Sequence, residues 1–177
     1  MIDDIKDYLI VKDNFFKKDI YKKIINEMLQ LNFINRNIVV DKKDQNIYQK
    51  TYFSVNLNFN HFAVQEVKKN LNKCGFNLIE FDHNYLLSTK HEEATPHIDK
   101  SNDLNCLIYL KGEELINSGT GFYDKKETNY ELNRHIGFKE NRAIIFDAKI
   151  FHASLQFNEG AKKRYVMANF FRCKPGS

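Results

Sequence analysis

Proline and glycine are scarce in this chain, two and seven residues among 177, and tryptophan is absent, so intrinsic fluorescence rests on tyrosine. There is no repeat, no low-complexity linker and no break in composition that would separate a second domain. Cysteine is nearly as rare. Cys74, Cys106 and Cys173 are odd in number, widely spaced and without a Cys-x-x-Cys pair, which excludes the usual zinc and dithiol patterns. Reduced thiols in a cytoplasmic protein are the expectation. No apolar run approaches membrane-spanning length, and Met1 to Asp7 lacks the basic and apolar regions of a signal peptide, so no membrane role is expected. An excess of one charge is missing as well. The 27 Lys and Arg are interspersed with 23 Asp and Glu, for a net charge of +4, so a broad nucleic-acid surface is not indicated.

What the chain does have is aromatic and β-branched mass. With 42% hydrophobic residues, including fifteen Phe and nine Tyr, it reads as one domain over 1–177, large enough to bury roughly 70% of its unfolded surface. Tyr8 to Val11 reads as a short strand. From Asp19 to Leu31 the residues Ile20, Ile24, Ile25, Met28 and Leu29 recur at helical spacing. Asp41 to Asn46 is a polar loop, and Thr51 to Val55 is either a strand or a substrate-side segment. A second helix is predicted over Phe62 to Lys73, with Val64, Val67 and Leu71 inward and Gly75 as its stop. Strand patterns then follow at Phe76–Phe81, Asn84–Ser88, Leu104–Leu110, Gly121–Tyr123, His135–Phe138, Arg142–Phe146 and Arg164–Phe171. The expected architecture is α+β: a two-sheet jelly-roll barrel over 76–177, backed by helical support in 1–75.

Within this pattern His97, Ile98 and Asp99 form a His-x-Asp triplet, and further on an apolar strand followed by a short turn delivers His152. In an extended segment residues i and i+2 face the same way, so His97 and Asp99 can grip one ion, with His152 completing the face from another strand. Two imidazoles and one carboxylate suit a non-haem ferrous ion with open coordination positions. The triplet alone is weak, since this composition gives roughly 0.4 such triplets by chance. Its rivals are an exposed loop pair for His97 and Asp99 and a simple strand cap for His152. His91, followed by Glu92 and Glu93, makes a competing His-x-Glu pattern, but no partner strand follows it at a suitable distance. His61, His83 and His135 read as surface or packed histidines.

Twelve positions after His152, Arg164 opens a strand on which it shares a face with Val166, Ala168 and Phe170. A guanidinium on an apolar inner face is costly unless an anion meets it, and its fork matches a carboxylate. Lys163 is the runner-up for that role, one residue out of register, and a surface cation within Lys162-Lys163-Arg164 is the plain alternative.

The order of these elements resembles the Fe(II)/2-oxoglutarate-dependent oxygenases, above all their prolyl-4-hydroxylase-like branch, over roughly Phe76 to Arg172. Tyr85 opens a strand before the metal triplet, and Cys106-Leu107-Ile108-Tyr109-Leu110 is similar to the family's next strand. Ser118-Gly119-Thr120-Gly121-Phe122-Tyr123 resembles its glycine-bearing turn, although here Thr120 separates glycines that are often paired. The resemblance implies that His97, Asp99 and His152 hold Fe(II), and that Arg164, with Tyr109 and Tyr85, binds the far carboxylate of 2-oxoglutarate. With O2 the co-substrate would be decarboxylated to succinate and a substrate C–H bond hydroxylated. Because halogenating relatives lack the metal-binding carboxylate, Asp99 points to hydroxylation. The substrate expected by analogy is a prolyl or other residue of a peptide or protein, or a free amino acid. Phe122, Phe146 and Phe170 are candidate lining residues, and Asn84, Asn105 and Asn169 candidate hydrogen-bond partners. Two other readings remain open: an oxidative nucleic-acid dealkylase, and a cupin-like metal-binding module without turnover. Oligomeric state is not readable from the sequence.

Overall fold

The computed structural model describes residues 8–38, 50–89, 95–156 and 164–173; for 35–38, 50–53, 79–89 and 156 it describes the backbone alone. The elements in chain order are β1 (Leu9–Lys12), α1 (Lys18–Met28), β2 (Ile34–Ile38), β3 (Lys50–Asn56), α2 (Phe62–Lys73), β4 (Leu78–Thr89), β5 (Leu104–Lys111), β6 (Ser118–Lys125), β7 (Tyr130–Gly137), β8 (Arg142–Asp147), β9 (Phe151–Gln156) and β10 (Arg164–Cys173). They form two antiparallel sheets, one of seven strands in the order β1-β8-β5-β10-β4-β3-β2 and one of three in the order β7-β6-β9. This is the expected jelly roll with helices behind it, and no described helix is long and apolar enough to cross a membrane.

The central strands of the large sheet are apolar on both faces because both are covered. Along β5, Leu104, Cys106, Ile108 and Leu110 enter a core shared with Ile24 and Met28 of α1 and Val64, Val67 and Leu71 of α2. Tyr109 alternates to the other side, into a second core between the sheets with Phe122, Phe138, Ile144, Phe146 and Val166. Full burial of one such side chain contributes about 1.5–3 kcal/mol. The second core closes the barrel, and one of its ends carries the polar residues discussed below.

Helix α2 spans the predicted residues, and Gly75, at φ 91°, ends it in the left-handed region that glycine enters without steric cost. His61 caps α2 through Nδ1, which accepts from the Ala63 amide at 3.2 Å, while its Nε2 lies 2.6 Å from Oε1 of Glu27 on α1. Thus His61 is a packed residue, as read. Helix α1 stops at Met28, three residues before the predicted end, and Gln30 and Leu31 turn back on Glu27 and Met28.

Other boundaries differ more. The two strands expected at 76–81 and 84–88 are one strand, β4, whose pairing with β10 shifts register at Phe170/Phe171. β7 begins at Tyr130 instead of His135; its residues up to Arg134 are exposed and polar enough to read as loop. β2 and β9 were not expected as strands, and β1, β2 and β3 extend the large sheet, so residues 1–75 supply sheet edge as well as helical support. The loop predicted at Asp41 to Asn46, together with His91, Glu92, Glu93 and Lys163, lies outside the described residues.

Candidate metal centre

β9 and the segment before β5 place the three predicted ligands together. His97 and His152 exchange backbone hydrogen bonds, the amide of His97 donating to the carbonyl of His152 at 3.0 Å and the reverse bond measuring 2.9 Å. This antiparallel bridge sets the two imidazoles side by side, ring centroids 4.6 Å apart. The Asp99 amide donates to the Ala148 carbonyl at 2.9 Å, which turns the Asp99 carboxylate toward the same spot. One ligand atom from each of His97, Asp99 and His152 lies within 4.8 Å of the others. As expected from the sequence, a short turn at 148–150 after β8 delivers His152, here as the second residue of β9.

The ring nitrogens are already sorted. Nδ1 of His152 lies 2.9 Å from the Ile150 carbonyl, and Nδ1 of His97 lies 3.0 Å from that of Thr95. Carbonyls only accept, so each Nδ1–H donates to one, and each Nε2 is the ring nitrogen left to face a metal. Burial works to raise the Asp99 pKa, but the hydrogen bond and charge of His152, the charge of His97 and the amide of Asn105 outweigh it and hold the carboxyl below its usual value. His152 is buried, with the edge of Phe146 packed 4.7 Å away, Asp99 is half-buried and His97 is exposed, so the cluster opens to one side. Two imidazoles and a deprotonated carboxylate, converging within bonding reach with one side open, fit a divalent iron ion.

Strand β6 carries the second half of the site. Its inner-face residues are Ser118, Thr120 and Phe122, and Phe122 pairs directly with His152. At the other end Arg164, 6% exposed, directs Nη1 to Oγ of Ser118 and to the carbonyls of Gly119 and Leu155, each at 3.2 Å. Between them the Tyr109 hydroxyl bonds Oγ1 of Thr120 at 2.7 Å and donates to the Ile136 carbonyl at 3.3 Å. Its ring stacks on Phe138 at 4.6 Å, and the Arg164 guanidinium lies 5.9 Å from the same Phe138 ring. Burial pushes the Tyr109 phenol up to about 12, although the Arg164 charge and the Thr120 bond pull the other way, so it stays a proton donor.

Tyr85 lies in β4 opposite Ala168; its side chain is outside the described residues. Phe122 and Phe146 both line the inner core, rings 5.1 Å apart, while Phe170, only partly buried, pairs with Asn105 on the neighbouring strand. Asn169 is committed to the Cys106 carbonyl at 3.0 Å. His135 is half-buried opposite Gly121, and burial lowers its pKa. Ser118 and Thr120 were read only as part of a turn. Their alternation with Phe122 was the available signal, since i, i+2 and i+4 of a strand share a face.

No family model matches this chain, and no curated protein matches it. Solved structures do. A prolyl hydroxylase from Trichoplax adhaerens, in complex with a hypoxia inducible factor oxygen degradation domain peptide fragment, superposes with TM-score 0.63 at 10% identity, covering 93% of this chain and 83% of its own. A Pseudomonas putida prolyl-4-hydroxylase gives TM-score 0.61 at 10% identity over 94% of both chains. The non-heme alpha ketoglutarate dependent epimerase SnoN from nogalamycin biosynthesis gives 0.63 at 8% identity over 94% of this chain and 78% of that one. The fold is thus the jelly roll of the 2-oxoglutarate/Fe(II) oxygenases, prolyl hydroxylases among them.

Proposed function

We propose that this protein is an Fe(II)- and 2-oxoglutarate-dependent dioxygenase that hydroxylates a C–H bond, with His97, Asp99 and His152 as metal ligands and Arg164 and Tyr109 as the clamp for the co-substrate's far carboxylate. The observation that carries the reading is the layout of one strand face. Phe122 marks the His-Asp-His end of β6 and Ser118 the Arg164 end. Four residues of strand separate them by about 13 Å, a gap that a five-carbon diacid spans once the side chains at both ends reach inward. Tyr85 belongs to the clamp by family resemblance alone.

Each part of the chain has a task. The Thr95 and Ile150 carbonyls hold the two imidazoles with Nε2 toward the metal, and Asn105 holds the Asp99 carboxylate. Arg164 and the protonated Tyr109 orient the co-substrate so that its keto-acid end meets the ligand cluster. Phe122 and Phe146 keep water from the buried side of His152. Fe(II), when bound, supplies the oxidative chemistry: 2-oxoglutarate, O2 and a substrate C–H become succinate, CO2 and an alcohol. The substrate is a residue of a peptide or protein, or a free amino acid.

Anaerobic titration of the Fe(II)-loaded protein with 2-oxoglutarate tests this. A visible charge-transfer band is expected, lost in His97→Ala and needing far more co-substrate in Arg164→Ala. Iron binding without any band overturns the reading.

A further inference from the structure

A cleft of about 280 Å³ opens at the metal-proximal end of the barrel, between β1 and the small sheet. It is lined by the apolar Leu9, Phe122 and Ile150, by Tyr123, and by the exposed Asp124, Asn133 and Arg134. Two of its lining residues neighbour the candidate metal centre: Phe122 pairs with His152, and the Ile150 carbonyl accepts a hydrogen bond from Nδ1 of His152. Across the small sheet Arg134, Phe122 and His152 are successive partners, so their side chains project from the same face. Two strand spacings, about 10 Å, separate the backbones of Arg134 and His152.

The charges in the cleft are not spent on each other. Oδ2 of Asp124 accepts from Nδ2 of Asn133 at 2.8 Å, a neutral partner that leaves the carboxylate's charge uncompensated. Among the described residues no hydrogen bond or ion pair engages the Arg134 guanidinium. One cation and one anion in the same cleft match a zwitterion. A dianionic phosphate would meet a single guanidinium with a carboxylate close by, whereas a monoanionic carboxylate suits the guanidinium fork and leaves Asp124 for an ammonium group. The volume lies just below the roughly 300–1,000 Å³ typical of small-molecule sites, which suits a ligand the size of one amino acid.

We infer that this cleft binds the free α-carboxylate of an amino acid through Arg134 and its ammonium group through Asp124, with the side chain laid along Phe122 toward His152. This rests on the oxygenase reading and narrows it: the substrate is a free amino acid, not an internal residue of a protein, and oxidation falls on its side chain, several bonds from the anchored carboxylate.

The test uses the full chain with Fe(II) and 2-oxoglutarate, offered each of the twenty free L-amino acids and, separately, their C-terminal amides. At least one free amino acid is expected to raise succinate formation tenfold or more and to gain one oxygen atom, with its amide at least tenfold weaker in KM. Arg134→Gln should raise KM for the free acid about tenfold and leave KM for the amide where it was. Asp124→Asn should do the same for the free amine against its N-acetyl form. Equal use of acid and amide, or no stimulation by any of the twenty in protein that shows the charge-transfer band, overturns the assignment. If the band itself is missing, the oxygenase reading fails separately, and calorimetry with the same twenty amino acids on the metal-free protein decides the cleft. Acid-selective binding lost in Arg134→Gln upholds it, and no binding overturns it.

Discussion

The side-chain amide of Asn105 donates to Oδ2 of Asp99 at 2.5 Å, and that same oxygen faces Nε2 of His152 at 3.4 Å. Asn105 is fully buried on β5, and its Oδ1 has no hydrogen-bond partner, which is costly at such depth unless a ligand or water in the site meets it. Asn105 is therefore a positioning residue: it holds the Asp99 carboxylate with Oδ2 beside Nε2 of His152.

Replacing Asn105 by Ala should weaken metal binding about 10- to 100-fold, the usual loss when a ligand's hydrogen-bond support is removed. Titration of the metal-free protein with Co(II), followed by its visible spectrum, reads this without turnover. Asn105→Asp, which sets a second carboxylate against Asp99, should weaken binding further, whereas unchanged affinity in both variants would show that Asp99 needs no such support.

Arg164 gives a second prediction. Its guanidinium is buried and forked toward the barrel interior, so Arg164→Ala should lower 2-oxoglutarate affinity by about 2 kcal/mol or more, roughly 30-fold. Arg164→Lys keeps the charge and loses the fork, and is expected to fall between the two. The comparison with 2-oxovalerate, which keeps the keto-acid end and lacks the far carboxylate, should show no loss in either variant if the contact is to the far carboxylate.

The triad was legible because it depends on sequence-local geometry: His97 and Asp99 two residues apart, and an apolar run leading to His152. Arg164 stood out as a cation heading an apolar strand. β7 did not, because Tyr130 to Arg134 is exposed and lacks the alternation that a covered face imprints. β4 was read as two strands since Asp82 and His83 interrupt its apolar pattern, although pairing with β10 carries the chain through them. Asn105 was noted as a polar residue inside Leu104–Leu110, but its partner lies six residues back across a loop. Only the folded chain shows that its amide addresses Asp99.

Asp13 predicts a pH response of stability. It bridges Arg142, with Nε and Nη2 at 2.6 and 3.1 Å, and Lys139 at 2.8 Å, and the Arg142 and Lys139 hydrogen bonds lower its pKa from 3.8 to about 2. A carboxyl with a depressed folded pKa stabilises the protein above its unfolded value and loses that contribution as pH falls from about 4 through about 2. The group is about a third exposed, so solvent screening limits the effect to about 0.5–1 kcal/mol. Urea unfolding of wild type and Asp13→Asn should differ by this amount at pH 6 and converge near pH 2. A constant difference across that range would mean that the charge is not the cause.

The two glycines flanking Thr120 should respond very unequally to the same substitution. Gly119 has φ +154°, and a Cβ there would stand 2.0 Å from the Ile136 carbonyl oxygen and 3.0 Å from the Phe138 nitrogen, both backbone atoms of β7 or the turn that follows it. At Gly121 the nearest atoms, at 2.7 to 2.9 Å, are the tips of the Leu155, Leu132 and Tyr123 side chains, which can rotate away. Gly119→Ala must push β6 off β7 and disturb the carbonyl that Arg164 uses, so a loss of about 2–4 kcal/mol in stability is expected, together with weaker 2-oxoglutarate binding. Gly121→Ala should cost less than about 1 kcal/mol and leave co-substrate binding intact. Thermal unfolding of both variants, with and without 2-oxoglutarate, makes the comparison, and equal losses would show that the close approach at Gly119 does not govern how β6 presents Ser118 and Thr120 to the anion end of the barrel.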